Sequence, residues 1–151
     1  MNCEITKDIE LIKELMKDVL ILSDNDGEFE PRVDSLNGWV IVRDYDKIQG
    51  IVYIEQQTTT TAMFHPYLLG KKGNGRKMIK SVLKWLLNTK IYKVNISIPM
   101  IYQSTINTAK KIGFIDEGIN RQSFFKDGKY HDQQLFGLTR IEIEGLSWDS
   151  F

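Results

Sequence analysis

The chain has a single cysteine, Cys3, so no internal disulfide can form and a reducing compartment is expected. It also lacks net charge, since twenty Lys and Arg balance twenty Asp and Glu. No global field therefore draws it to nucleic acid or to a membrane surface. No apolar run approaches the roughly twenty residues that span a bilayer, and the first residues lack the charged-then-apolar layout of a signal peptide. Repeats and low-complexity segments are absent too. What remains is one domain over residues 1–151 with a tail at 144–151, expected in the cytoplasm and with neither nucleic acid nor membrane as a partner.

The most informative stretch that is present is Gly70-Lys71-Lys72-Gly73-Asn74-Gly75-Arg76. Strand-like residues precede it, Ile51 to Ile54 and Thr58 to Phe64. After it Ile79, Val82, Leu83 and Leu86 recur at helical spacing. A strand, a glycine-rich basic loop and a helix make an anion site, because unpaired amides at the helix start face outward and the helix dipole adds positive charge. The same residues also describe an ordinary solvated turn. A Walker loop would close on Lys-Ser/Thr, where Arg76-Lys77 stands, and a dinucleotide fingerprint would place a carboxylate near Lys93 to Asn95. Both are excluded. Lys77, Lys80 and Lys84 lie opposite the apolar stripe and read as a solvated face.

Along the chain, residues 2–5 read as a strand, and Thr6 as the cap of a helix over Asp8 to Leu22. Ser23-Asp24-Asn25-Asp26-Gly27 is a turn, since its spacing fails the calcium-loop pattern. Residues 28–37 read as a connection or a short second helix. Trp39 to Arg43 and Ile48 to Ile54 form a hairpin, with Thr58 to Phe64 as its third strand. Ile91 to Ile98 is a strand ended by Pro99. A helix over 102–112 stops at Gly113, and two strands joined by Lys126-Asp127-Gly128-Lys129 run from Phe114 to about Ile143. The order β-α-(α)-β-β-β-α-β-α-β-β implies an α/β (α+β) domain, a mixed sheet with helices on both faces. Cys3 reads as packing rather than as a nucleophile.

That order, with the loop after the fourth strand, resembles the GNAT superfamily of N-acetyltransferases. The family loop reads Arg/Gln-x-x-Gly-x-Gly/Ala; Gly73 and Gly75 match it, and Gly70 departs from it. Ala109-Lys110-Lys111-Ile112-Gly113-Phe114 resembles the family's helix end. Glu117-Gly118, Arg121, Asp127-Gly128, Asp132, Leu138-Thr139-Arg140 and Glu142 resemble the closing hairpin of the branch that acetylates protein N-termini, including phage-encoded proteins of this fold.

The resemblance implies acetyl-coenzyme A as cofactor and an amine of a small molecule or protein as acceptor. By position, Phe64 would line the pantetheine arm. The amides of Lys72, Gly73, Asn74, Gly75 and Arg76 would hold the diphosphate, with the Lys71 or Arg76 side chain neutralising it. The family's catalytic tyrosine position holds Ala109. His65 is then the candidate base, its pKa suiting neutral pH, and Tyr102 a displaced candidate acid. Each also has a plain structural reading, His65 as the end of a strand beside Pro66. Asn95 and Ser97 are candidates for a water relay, and His131 reads as an exposed loop residue. No metal site is expected.

The alternative is a catalytically inactive protein of the same fold, a phage virion or head-assembly component located in the virion. In that reading Leu146, Trp148 and Phe151 of the tail would join a homo-oligomer or an assembly partner. An open cleft between the fourth and fifth strands would favour the enzyme, and a plugged one the assembly protein.

Overall fold

The computed structural model describes residues 1–19 and 30–147. Its elements are β1 (Asn2–Thr6), α1 (Ile9–Met16), β2 (Asn37–Asp44), β3 (Lys47–Gln56), β4 (Thr61–Leu68), α2 (Gly75–Leu86), β5 (Lys93–Pro99), α3 (Gln103–Ile112), β6 (Ile115–Lys126), β7 (Lys129–Thr139) and α4 (Arg140–Glu144). Seven strands form one sheet in the order β1-β2-β3-β4-β5-β7-β6. Among the described strands only β4 and β5 run parallel, because the α2 crossover joins them; the remaining neighbours pair antiparallel.

Alternation along the strands splits the core in two. Val40, Val42, Val52, Phe64, Val94 and Ile96 face α2, α3 and α4, while Trp39, Ile41 and Ile51 face Ile12 and Met16 of α1. Helices therefore cover both faces, as the element order implied. No described helix is long and apolar enough to cross a membrane.

Several local expectations are corrected. Asp8 caps α1, its carboxylate accepting from the Leu11 amide, and Thr6 stays in β1 with its hydroxyl accepting from Asp8 N. The helix closes at Met16 rather than running on to Leu22, a residue outside the described set. The turn at 23–27 also lies outside it, and 30–36 is not helical. Thr58 to Thr60 form a turn instead of a strand, because the Thr58 hydroxyl accepts from the Thr60 and Thr61 amides. The strand then starts at Thr61 and extends through His65-Pro66-Tyr67 to Leu68.

At the C-terminal end β7 stops at Thr139 and a further helix, α4, takes residues read as strand. Thr139 and Glu142 form its capping box. Lys80, expected on the solvated face of α2, is buried at 6% exposure, its Nζ donating to the Ser147 carbonyl. The segment after α4 folds back over that part of α2, and Leu146 packs on the core, close enough to Gly113 that a Cβ there would lie 2.8 Å from it. Trp148 and Phe151 lie outside the described residues.

Candidate functional site

The loop is set by geometry that glycine permits. Gly73 has φ +102°, a conformation other residues adopt only with strain. Asn74 precedes α2, and no side chain caps the helix N-terminus or places an acid in its first turn. First-turn amides lie outside a helix's own hydrogen-bond ladder, so a helix start that no side chain caps is of the kind that takes an anion. A Cβ on Gly75 would touch only Leu68, at 3.9 Å. Packing inside the protein does not demand glycine there; close approach of a ligand would. The Asn74 amide is already used, closing a turn on the Lys71 carbonyl at 3.1 Å, so it drops out of the expected donor set.

Gln49 of β3, which the sequence reading passed over, anchors this loop. It is only 7% exposed. Its backbone carbonyl accepts from Leu69 N and Gly70 N, and its side-chain Oε1 accepts from Asn74 Nδ2 at 3.0 Å. A Cβ on Gly70 would fall 2.4 Å from that Oε1. Position 70 is glycine because Gln49 occupies the space a side chain would need.

Beside the loop the sheet opens. β4 and β5 pair only at Thr61–Lys93, Ala62–Val94 and Met63–Asn95, then diverge. The gap is a cleft of about 480 Å³ lined by residues of both sheet faces, among them Phe64, His65, Ser97, Tyr102, Ala109 and Phe124. It is open rather than filled. Ala109, where the family pattern has tyrosine, sits buried in its wall. Tyr102 precedes α3 and lines the same cleft, edge-on to Phe124 at 6.1 Å.

On the α1 face, β2, β3 and β4 carry an aromatic row. Trp39 stacks on Tyr53 at 4.8 Å, and Tyr53 on His65 at 5.3 Å, each a cross-strand neighbour of the next. The Tyr53 hydroxyl is tied to Asn37 Oδ1, and Asn37 in turn to the Asp34 carboxylate. Bonds from the Leu36 amide and from Asn37 hold the Asp34 carboxyl below its ordinary pKa. Burial, and then the Glu55 charge, push the Tyr53 phenol up.

Glu55 stands 3.5 Å from His65 Nε2, an ion-pair distance but too long for a good hydrogen bond. The Nε2 atom is buried without a hydrogen-bond partner among the described residues, and so is Ser97 Oγ. Burial lowers the His65 pKa, with Glu55 acting against it. His65 and Ser97, the residues that carry these two atoms, both line the open cleft.

Asn95 is less available, its Nδ2 donating to Gln57. His131 lies in β7 rather than in a loop, its Nε2 3.4 Å from the Lys126 carbonyl. Burial raises the pKa of the Cys3 thiol, which opposes a nucleophilic role.

No family model matches the chain. Solved structures match nearly all of it. The spermidine N-acetyltransferase SpeG of Vibrio cholerae, as a chimera with hSSAT, superposes with a TM-score of 0.81 over 95% of this chain and 99% of its own, at 16% identity. The same enzyme in complex with CoA and spermine gives a TM-score of 0.78 over 95% and 97%, also at 16% identity. A protein of Streptococcus mutans UA159 gives 0.71 over 93% and 99%, at 20% identity. This chain has the GNAT fold.

Within sequences, the SPbeta prophage-derived uncharacterized N-acetyltransferase YokL of Bacillus subtilis (strain 168) is 37% identical over 84 residues, 55% of this chain. The match spans 46% of that relative, about half its length. In GNAT-fold terms the glycine loop lies after the fourth strand and the cleft lies between the fourth and fifth.

Proposed function

We propose that the protein is an N-acetyltransferase that moves the acetyl group of acetyl-coenzyme A to an amine of a small molecule or protein, working inside the cell. The observation that carries this reading is the parting of β4 from β5 into an open cleft with the uncapped start of α2 beside it. The chain spans one such unit, residues 1–151, with 144–151 as its tail.

When bound, acetyl-coenzyme A supplies an activated thioester that a neutral amine can attack. The first-turn amides of α2 and those of Lys72 and Gly73 would hold the diphosphate, with Lys71 and Arg76 adding positive charge. Phe64 would flank the arm that runs into the cleft. His65, whose Nε2 has no hydrogen-bond partner among the described residues and whose pKa burial lowers, would be the base that takes up the proton the amine loses. The Tyr102 hydroxyl would supply the proton that the leaving thiol takes, the role that Ala109 cannot fill, and the proton held by His65 would then restore the tyrosine through solvent. The net result is an amide and a free thiol.

The acceptor would enter from the α1 face, where Glu55, Tyr53 and Asp34 are suited to a cationic amine. Polyamines are the first acceptors to test, since matched structures are of spermidine acetyltransferases. An amine at a protein N-terminus is the second. The reading of an inactive assembly protein is disfavoured by a cleft that no described side chain plugs.

The test is calorimetry with acetyl-coenzyme A, followed by thiol release with spermidine and with a peptide amine. Binding together with amine-dependent thiol release supports the reading. Absence of binding ends it, and binding without release to any amine returns it to the non-catalytic alternative.

A further inference from the structure

His65 lines the cleft with little polar restraint on its ring. Its Nε2 has no hydrogen-bond partner among the described residues, and Glu55 at 3.5 Å is too far to hold it firmly. The outer torsion of a histidine is broad, so such a ring keeps one orientation only if something packs on its face. Tyr53 does so. It stands directly opposite His65 across β3 and β4, with ring centroids 5.3 Å apart and planes 24° apart. Tyr53 is itself held from the β2 side, where Trp39, 2% exposed, stacks on it at 4.8 Å. Its hydroxyl donates to Asn37 Oδ1. Asn37 Nδ2 donates to both carboxylate oxygens of Asp34, at 2.9 and 3.0 Å, which leaves Oδ1 as the amide atom that meets the phenol. Asp34 also accepts from the amides of Leu36 and Asn37, so the bracket is fixed to the backbone.

We propose that Tyr53 is a positioning residue of the reaction, its ring fixing the His65 imidazole in the cleft while Trp39 and the Asn37–Asp34 pair fix Tyr53. This rests on the reading that His65 is the base of acetyl transfer. A base acts only in the orientations that reach the amine, and a stacked neighbour narrows the ring to fewer of them. Leucine at position 53 would still bury apolar surface against the α1 face, but it would leave the imidazole without a ring to lie on. The bond to Asn37 adds the second half: it keeps Tyr53 from following the histidine when the latter swings.

The test is a double-mutant cycle on thiol release from acetyl-coenzyme A at saturating spermidine. Tyr53→Leu should lower kcat about fivefold, the factor that one aromatic stack is worth. The KM for acetyl-coenzyme A should not change, since Tyr53 is not placed against the cofactor. In a His65→Ala background the same substitution should cost nothing beyond His65→Ala alone, because there is no imidazole left to position. Tyr53→Phe keeps the stack and loses the anchor, and should lower kcat about threefold, the worth of one hydrogen bond. Asn37→Ala should match it, and the two together should be no worse than either.

If Tyr53 merely supports the sheet, Tyr53→Leu loses the same factor with and without His65. That result overturns the inference while leaving His65 as the base. A His65→Ala variant that turns over at the wild-type rate removes the reading of His65, and this inference with it. A wild type that binds coenzyme A and releases thiol to no amine does the same. Should Tyr53→Leu fold poorly, Tyr53→Phe and Asn37→Ala carry the cycle. Wild-type kcat in both, or equal losses in the His65→Ala background, would overturn the inference.

Discussion

At the scale of single residues, His65 combines burial with a carboxylate neighbour, and the two pull its pKa in opposite directions. Burial is the larger effect, so the folded-state value lies below the ordinary histidine value of about 6.5. A base must be unprotonated to act. The acid limb of kcat/KM should therefore fall below that ordinary value. Glu55 raises the His65 pKa, so Glu55→Gln should move the limb to still lower pH and slow the reaction. A limb unmoved by Glu55→Gln would detach Glu55 from His65. His65→Ala should cost about a hundredfold in kcat, whereas Cys3→Ser should leave activity unchanged; kinetics on the two variants checks both. Gly75 has the opposite character, since no described residue crowds the space beside it. Gly75→Asp puts a negative charge at a helix start, which favours the helix. It should leave thermal stability equal or higher while weakening coenzyme A more than about tenfold, or ~1.4 kcal/mol. Loss of stability together with affinity would point to misfolding instead.

At the scale of elements, Arg140 opens α4 and reaches back beneath the sheet. Its Nη1 donates to the Leu87 carbonyl at 2.8 Å, and Nη2 to those of Thr89 and Ile91 at 2.6 and 2.8 Å. Its own amide donates to the Tyr92 carbonyl. The residue closes the end of α2 and guides the chain into β5, the strand that forms one wall of the cleft. Resemblance to a family motif marked this arginine, and its work here is structural. Arg140→Met leaves three part-buried carbonyls without their donor and should destabilise by about 2 kcal/mol or more, since a hydrogen bond to a charged group is worth about 1.5–3 kcal/mol. Denaturant unfolding measures it. Thr139→Ala removes the hydroxyl half of the α4 capping box and should cost about 1 kcal/mol. The placement of Leu146 and the burial of Lys80 both depend on the chain returning after α4, so these losses should also loosen the cover over α2.

At the scale of the whole molecule, the sheet is continuous except where it must open. Three paired positions hold β4 to β5, and beyond them one wall is tied to β3 and the other to β7. The cleft thus lies between two braced half-sheets, and a ligand spanning it would bridge them. Acetyl-coenzyme A at a hundred times its Kd should stabilise the fold by about 2.7 kcal/mol, seen as a rise in Tm that Gly75→Asp abolishes. Equal Tm with and without the ligand at that excess would contradict the proposed site.

Most of the architecture is legible in the sequence because it arises from local chemistry. Two-residue alternation gives the strands, 3.6-residue spacing gives α2 and α3, and Gly113, with φ +119°, ends a helix where only glycine is comfortable. Gly73, with φ +102°, is legible for the same reason, whereas Gly70 answers to Gln49 of a distant strand. Local pattern misjudged other positions, each for a physical reason. Four threonines have strand propensity, yet the Thr58 hydroxyl accepts from the Thr60 and Thr61 amides and makes a turn of the first three. Lys80 sits on the polar side of its helix by periodicity, and only the returning chain after α4 buries it. Gln49, Tyr53 and Glu55 carry no signal of function along the chain. Gln49 is one polar residue in an apolar strand, and its meaning depends on Asn74, twenty-five positions away, being folded against it. The sequence alone determined most elements, their order and the glycines that a local backbone turn needs, Gly73 and Gly113, since those are settled within a few residues. Which polar atoms are left unpartnered in a cleft was decided only by tertiary structure, because burial and pairing are properties of residues distant in the chain.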